Sequence, residues 1–162
     1  MVDLSGAYTG IASADGRHIG LDLVDIDRFA QAMARYPRLE QRVFTEAEIA
    51  YCRARSKPAL HFAARFAAKE AVGKLLTTGV LSWQEVEVVS ERLGSAPRVR
   101  LTGKAVQTAA ELGIAEIRVS LSHVDSMAGA CVVAVACSSE GGAGAWTTTQ
   151  QAAATAKAPA EA

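Results

Sequence analysis

An α+β fold, with a mainly antiparallel sheet packed against helices, is predicted by three features of the chain. A strand-like alternation opens the ordered part in "HIGLDLV" (18 to 24), three helical segments follow in succession, and two pairs of short strands flank one further helix near the end. With 162 residues, 50% of them hydrophobic, the chain has the material for one cored domain.

The elements follow in order. In the first strand Ile19, Leu21 and Leu23 alternate against Gly20, Asp22 and Val24. "DRFAQAMARYP" (27 to 37) has helical spacing and stops before Pro37. "TEAEIAYCRARSKP" opens with Thr45 and Glu48, the spacing of a capping box, and ends at Pro58, which can itself begin a helix reaching about Gly79. "QEVEVVS" (84 to 90) and "PRVRLTG" (97 to 103) read as a hairpin around a turn at Gly94. Thr102 is placed to cap a helix over "GKAVQTAAEL" that ends at Gly113, and "EIRVSLSH" (116 to 123) and "AGACVVAVA" (128 to 136) close the order as two strands. Residues 1–17 read as a flexible extension, residues 18–137 as the domain, and the Ala-rich segment 138–162, without Leu, Ile, Val or Phe, as a disordered tail.

Charge and cysteine content exclude several classes. Seventeen basic residues balance 17 acidic ones, so no basic field points to nucleic acid. The longest apolar stretch, 128 to 137, is too short to span a bilayer, and a soluble protein is expected. Cys52, Cys131 and Cys137 are odd in number and form no C-x-x-C pair, which points away from disulfides and zinc and toward a reduced, cytoplasmic setting.

Candidate chemistry rests on a few charged residues in apolar company. Asp is depleted in strands, so Asp22 between Leu21 and Leu23 needs a cation, an arginine or several donors to offset its desolvation. Glu70 and Lys74 have the spacing of an exposed helix pair. Yet Phe62 and Phe66 precede Glu70 at four-residue steps and alanines surround it, so it continues a buried stripe. Two carboxylates from separate elements, with a lysine one turn away, make a set for Mg2+ and phosphate oxygens. His123 closes a strand beside a polar turn, where it can donate to an anion.

The motifs "GLDLVDIDRF" (20 to 29), "RFAAKEAVGK" (65 to 74) and "VSLSHVDSMAGACVV" (119 to 133), in this order and spacing, resemble holo-acyl-carrier-protein synthase, the short-type 4'-phosphopantetheinyl transferases. That resemblance implies Mg2+-dependent transfer of phosphopantetheine from coenzyme A to a serine of an acyl carrier protein, releasing 3',5'-ADP in fatty acid biosynthesis. It implies Asp22 and Glu70 as metal ligands. Asp22, Glu70, Lys74 and His123 become the catalytic set, and Arg65, Lys69, Gly73, Lys74 and His123 the coenzyme A contacts. It further implies a homotrimer, and a carrier surface of Arg28, Arg35, Arg38 and Arg42. Asp25 stands where an acid, usually Glu, follows the metal aspartate by three residues. The rival reading is a non-catalytic coenzyme A or carrier-protein binding module of the same fold.

Overall fold

The computed structural model describes residues 11–12, 18–77, 82–90 and 95–136. Six strands form one antiparallel sheet in the order β1-β2-β6-β5-β4-β3: β1 (Ile11–Ala12), β2 (His18–Asp25), β3 (Val86–Val89), β4 (Arg98–Leu101), β5 (Ile114–His123) and β6 (Met127–Ala136). The helices are α1 (Ile26–Arg35), α2 (Leu39–Val43), α3 (Glu46–Arg53), α4 (Pro58–Leu75) and α5 (Gly103–Glu111), with a single 3-10 turn at Trp83–Glu85. The predicted α+β class is the observed one. Strand β1 departs from the expected loose extension, because Ile11 and Ala12 pair with Ile19 and His18. The expected turn at Gly94 and the tail 138–162 lie outside the described residues.

Local chemistry sets the helix ends. The Asp25 carboxylate accepts from the Arg28 amide at 2.8 Å and starts α1. Thr45 and Glu48 form the capping box of α3 in both directions. Pro58 occupies the first turn of α4, which ends at Leu75, earlier than Gly79, because Thr77 turns into the left-handed region at φ 60°. Thr102 makes no side-chain cap for α5; the Glu85 carboxylate accepts from Ala105 N at 3.1 Å instead.

Helix α4 crosses β2, β6 and β5 on one face of the sheet. Ala63, Ala67, Ala68 and Ala71 are fully buried along it and let it approach closely. Phe29 stacks on Phe66 with centroids 4.8 Å apart, Phe44 meets Phe62 at 4.9 Å, and Trp83 meets Phe66 at 5.0 Å, so one aromatic chain ties α1, α4 and the 3-10 turn together.

The alternation in β2 resolves into a covered and a bare face. Gly20, Asp22 and Val24 face α4, while Ile19, Leu21 and Leu23 are 48%, 58% and 63% exposed on the helix-free face, beside exposed Val133 of β6. Period two marked the strand, but the side that accepts a helix is set by room for its backbone. Gly20 provides that room: a Cβ there would overlap the Ala71 carbonyl oxygen and lie 2.9 Å from Val132 Cγ2.

Candidate active site along α4

Asp22 of β2 and Glu70 of α4 lie near enough across the packed β2–α4 contact for the charge of one to act on the other. Asp22 is half-buried, and burial raises its carboxyl above the usual range against the opposing pull of Lys74. Lys74 Nζ lies 2.7 Å from Asp22 Oδ1 and donates to the Leu21 carbonyl at 3.3 Å. Glu70 is pushed up to about 7, first by burial and then by the negative charge of Asp22, with Lys74 opposing. One ammonium thus serves two acids that both resist ionising, and a divalent cation would relieve that excess. Among the described residues no group of three or more His, Cys, Asp and Glu gathers. Two carboxylates without a third protein ligand suit Mg2+, which retains waters and takes phosphate oxygens.

One residue expected at the cofactor stands elsewhere. Lys69 is fully buried, paired with Glu48 at 2.8 Å, and donates to the Trp83 carbonyl at 2.9 Å and to the Val86 carbonyl. Three acceptors use all three of its protons, so none is left for a phosphate. Burial holds this amine below its ordinary value even with Glu48 opposing. Gly73 lies one turn beyond Lys69 on the same side of α4 and is buried too. The expectation for Lys69 is corrected: its ammonium faces inward and is fully engaged.

A second, cationic cluster lies toward the start of α4. The Arg65 guanidinium stacks over the Tyr51 ring at 3.9 Å and donates to Ser90 Oγ at 3.2 Å, and Arg55 stacks on the same ring at 4.0 Å. The Nε atoms of both arginines are buried and have no hydrogen-bond partner among the described residues. His61 packs edge-on to Tyr51, and its pKa is lowered by burial, by Arg65 and Arg55, and by His123. Exposed His123 therefore joins this cluster, from the end of β5. Tyr51, Arg55 and His61 belong to no motif that would single them out in the sequence. They become visible only when α3 and its trailing turn fold against α4. His61 and Glu70 are nine residues apart, about 14 Å along a helix rising ~1.5 Å per residue, so an elongated anion could touch both ends.

Asp25, expected near the chemistry, spends one carboxylate oxygen on the cap of α1. Arg28, Arg35, Arg38 and Arg42 are all exposed along α1 and α2, with the Arg35 guanidinium 5.7 Å from the centre of the exposed Tyr36 ring. No helix among the described residues is long and apolar enough to cross a membrane.

Known proteins resemble this chain in sequence and fold. The family model described as 4'-phosphopantetheinyl transferase superfamily matches residues 18–132. A holo-[acyl-carrier-protein] synthase from Moorella thermoacetica is 49% identical over 125 residues, covering 76% of this chain and 97% of that protein. The solved holo-[acyl-carrier-protein] synthase of Helicobacter pylori, in complex with coenzyme A, superposes with a TM-score of 0.62 at 28% identity, covering 72% of this chain and 99% of that one. The Neisseria meningitidis enzyme of the same name gives a TM-score of 0.66 at 28% identity, over 72% of this chain and 96% of that one.

Proposed function

The chain belongs to the 4'-phosphopantetheinyl transferase superfamily, and from that premise we propose how its residues share the reaction. Its activity is that of a holo-[acyl-carrier-protein] synthase, transfer of phosphopantetheine from coenzyme A to apo acyl carrier protein. Asp22 and Glu70 hold Mg2+. When bound, the ion supplies neutralisation of pyrophosphate charge. The observation that carries this assignment is the pair of half-buried acids, each raised in pKa and sharing one lysine.

The protein's own residues bind and orient. Lys74 turns from Asp22 to a phosphate oxygen when the pyrophosphate arrives, a point charge one turn from Glu70. The positive charge of Arg65 and Arg55, with His61 and exposed His123 beside them, attracts the nucleotide end. The carrier serine oxygen bonds to the phosphorus that bears pantetheine as its hydroxyl proton passes to solvent, the bridging bond to the second phosphate breaks, and 3',5'-ADP leaves. Such a transfer asks for positioning and charge stabilisation rather than a protein nucleophile.

Arg28, Arg35, Arg38 and Arg42 form the docking face for an acidic carrier helix, and the encounter is expected to weaken with salt. The bare face of Ile19, Leu21, Leu23 and Val133 is the contact through which the chain forms its homotrimer; an apolar patch of this kind is otherwise a liability in water. The unpaired thiols of Cys52 and Cys131 fit a cytoplasmic setting, with the product serving fatty acid biosynthesis.

Intact-mass measurement of an apo carrier incubated with the protein, coenzyme A and Mg2+ tests the reading. The expected result is a phosphopantetheine adduct that requires the metal and is lost with Asp22→Ala and with Glu70→Ala. An unmodified carrier in the wild-type reaction would instead support the binding module, and adduct formation surviving both substitutions would remove the metal assignment.

A further inference from the structure

We propose that Gly20 and Lys69 are positioning residues that aim the Glu70 carboxylate at Asp22 by fixing α4 on both flanks of Glu70. This rests on the reading that Asp22 and Glu70 share a divalent cation. Neither residue touches that ion or coenzyme A.

The two anchors bracket Glu70 in sequence and in space. On the sheet side, the Ala71 carbonyl sits where a Cβ of residue 20 would be, two residues before Asp22 in the same strand. On the other flank, the Lys69 ammonium is tied to three acceptors on three other elements: Glu48 of α3, the Trp83 carbonyl in the 3-10 turn and the Val86 carbonyl in β3. Glu48 is itself immobilised, because its Oε1 accepts from Val88 N at 2.9 Å and its Oε2 from Thr45 N at 3.0 Å. Residues 69 and 71 project about 200° apart around a helix of ~3.6 residues per turn. Glu70 therefore sits between a backbone seat and a side-chain tether, and neither sliding nor rotation of α4 is free at that point.

The physical argument is one of tolerance. Alanine at position 20 would force α4 away from β2 or distort the strand, since the two nearest atoms are Ala71 backbone and the third is the buried Val132 side chain. A displacement of about 1 Å suffices to cost a hundredfold at a positioned group. The Lys69 tether acts through rotation: freed of its acceptors, that flank of α4 keeps only apolar contacts, the alanines and the rings of Phe62 and Phe66, which carry no directional hydrogen bond. An apolar side chain at position 69 would fill the space but could not specify the helix's angle, since only the ammonium has directional partners on α3 and β3.

The test reads metal binding directly rather than turnover. Mn2+ is titrated into the full chain and free ion is followed by electron paramagnetic resonance, with near-ultraviolet circular dichroism reporting native packing. Wild type is expected to bind Mn2+ and Asp22→Ala to lose it. Gly20→Ala, and the charge-neutral pair Glu48→Gln with Lys69→Met, are expected to keep native dichroism while weakening Mn2+ about 10- to 100-fold, the usual range for groups that support metal ligands. If Asp22→Ala binds as wild type does, the shared-cation reading fails, and the positioning proposal with it. Should Asp22→Ala lose the ion while both test variants retain wild-type affinity, the positioning proposal alone is overturned. Loss of native dichroism in both would overturn it as well, because the contacts would then be supporting the whole fold and not the aim of one carboxylate.

Discussion

Lys69 and Lys74 stand five residues apart on the same helix, each within 2.8 Å of a carboxylate, yet their surroundings are opposite in kind. The Lys69–Glu48 pair is sealed from solvent, and every proton of the ammonium has an acceptor. Around Lys74 the count is reversed: two acids crowd one cation, part of each side chain of the Lys74–Asp22 pair reaches solvent, and Glu70 is pushed up to about 7. A closed, satisfied pair can only hold elements together. An open pair with surplus negative charge is unfinished, and what completes it is a ligand.

Breaking the closed pair should have the largest effect. Lys69→Met alone strands the Glu48 carboxylate in the core and is expected to cost about 3–5 kcal/mol in urea unfolding, the range for an uncompensated buried charge. A loss comparable to that of an ordinary surface substitution would erase the contrast between the two lysines.

The same change at the open pair should be milder for stability and harsher for substrate. With Lys74→Met, Asp22 and Glu70 can take up a proton, so the unfolding midpoint moves little. The Michaelis constant for coenzyme A is expected to rise about 10- to 100-fold, in line with ~1.5–3 kcal/mol for a hydrogen bond to a charged group. Steady-state kinetics beside denaturation curves separate the two, and equal effects in both measurements would count against the assignment.

The smallest expected effect is pH dependence at the open pair. Glu70 has a folded value near 7, above its ordinary 4.5, so without metal its contribution to stability is complete below 4.5 and is lost as pH rises through about 7. Metal binding runs the other way. Each ion bound displaces the Glu70 proton, so Mg2+ affinity should climb with pH toward 7 by at most about tenfold per unit and then level off. Calorimetric titrations at pH 5.5, 6.5 and 7.5 would show it, and a flat profile would mean that Glu70 is not a ligand.

Much of the fold was legible because its signals are local. The capping box at Thr45 and Glu48, Pro58 at a helix start and the period of β2 depend on neighbours within a turn or a strand. Orientation was not legible in the same way. The alternation in β2 does not say which side is covered: the helix lies on the side of Gly20, where its backbone fits, and Ile19, Leu21 and Leu23 are left outside. Lys69 and Lys74 look alike in the sequence, and what distinguishes them, Glu48 in one case and Asp22 in the other, lies 21 and 52 residues away. Thr102 had the right residue type for a cap and lost the place to Glu85 from a different element. The short β1 has too few residues to show any period at all.

The most direct test of the shared-cation site is a crystal of the full chain grown with coenzyme A and Mn2+, examined by anomalous scattering at the manganese edge. The account predicts one strong peak bonded by a carboxylate oxygen of Asp22 and another of Glu70, with Lys74 turned toward a phosphate. A peak held by only one of these acids, or a manganese ion bound elsewhere while Lys74 keeps Asp22, would contradict it.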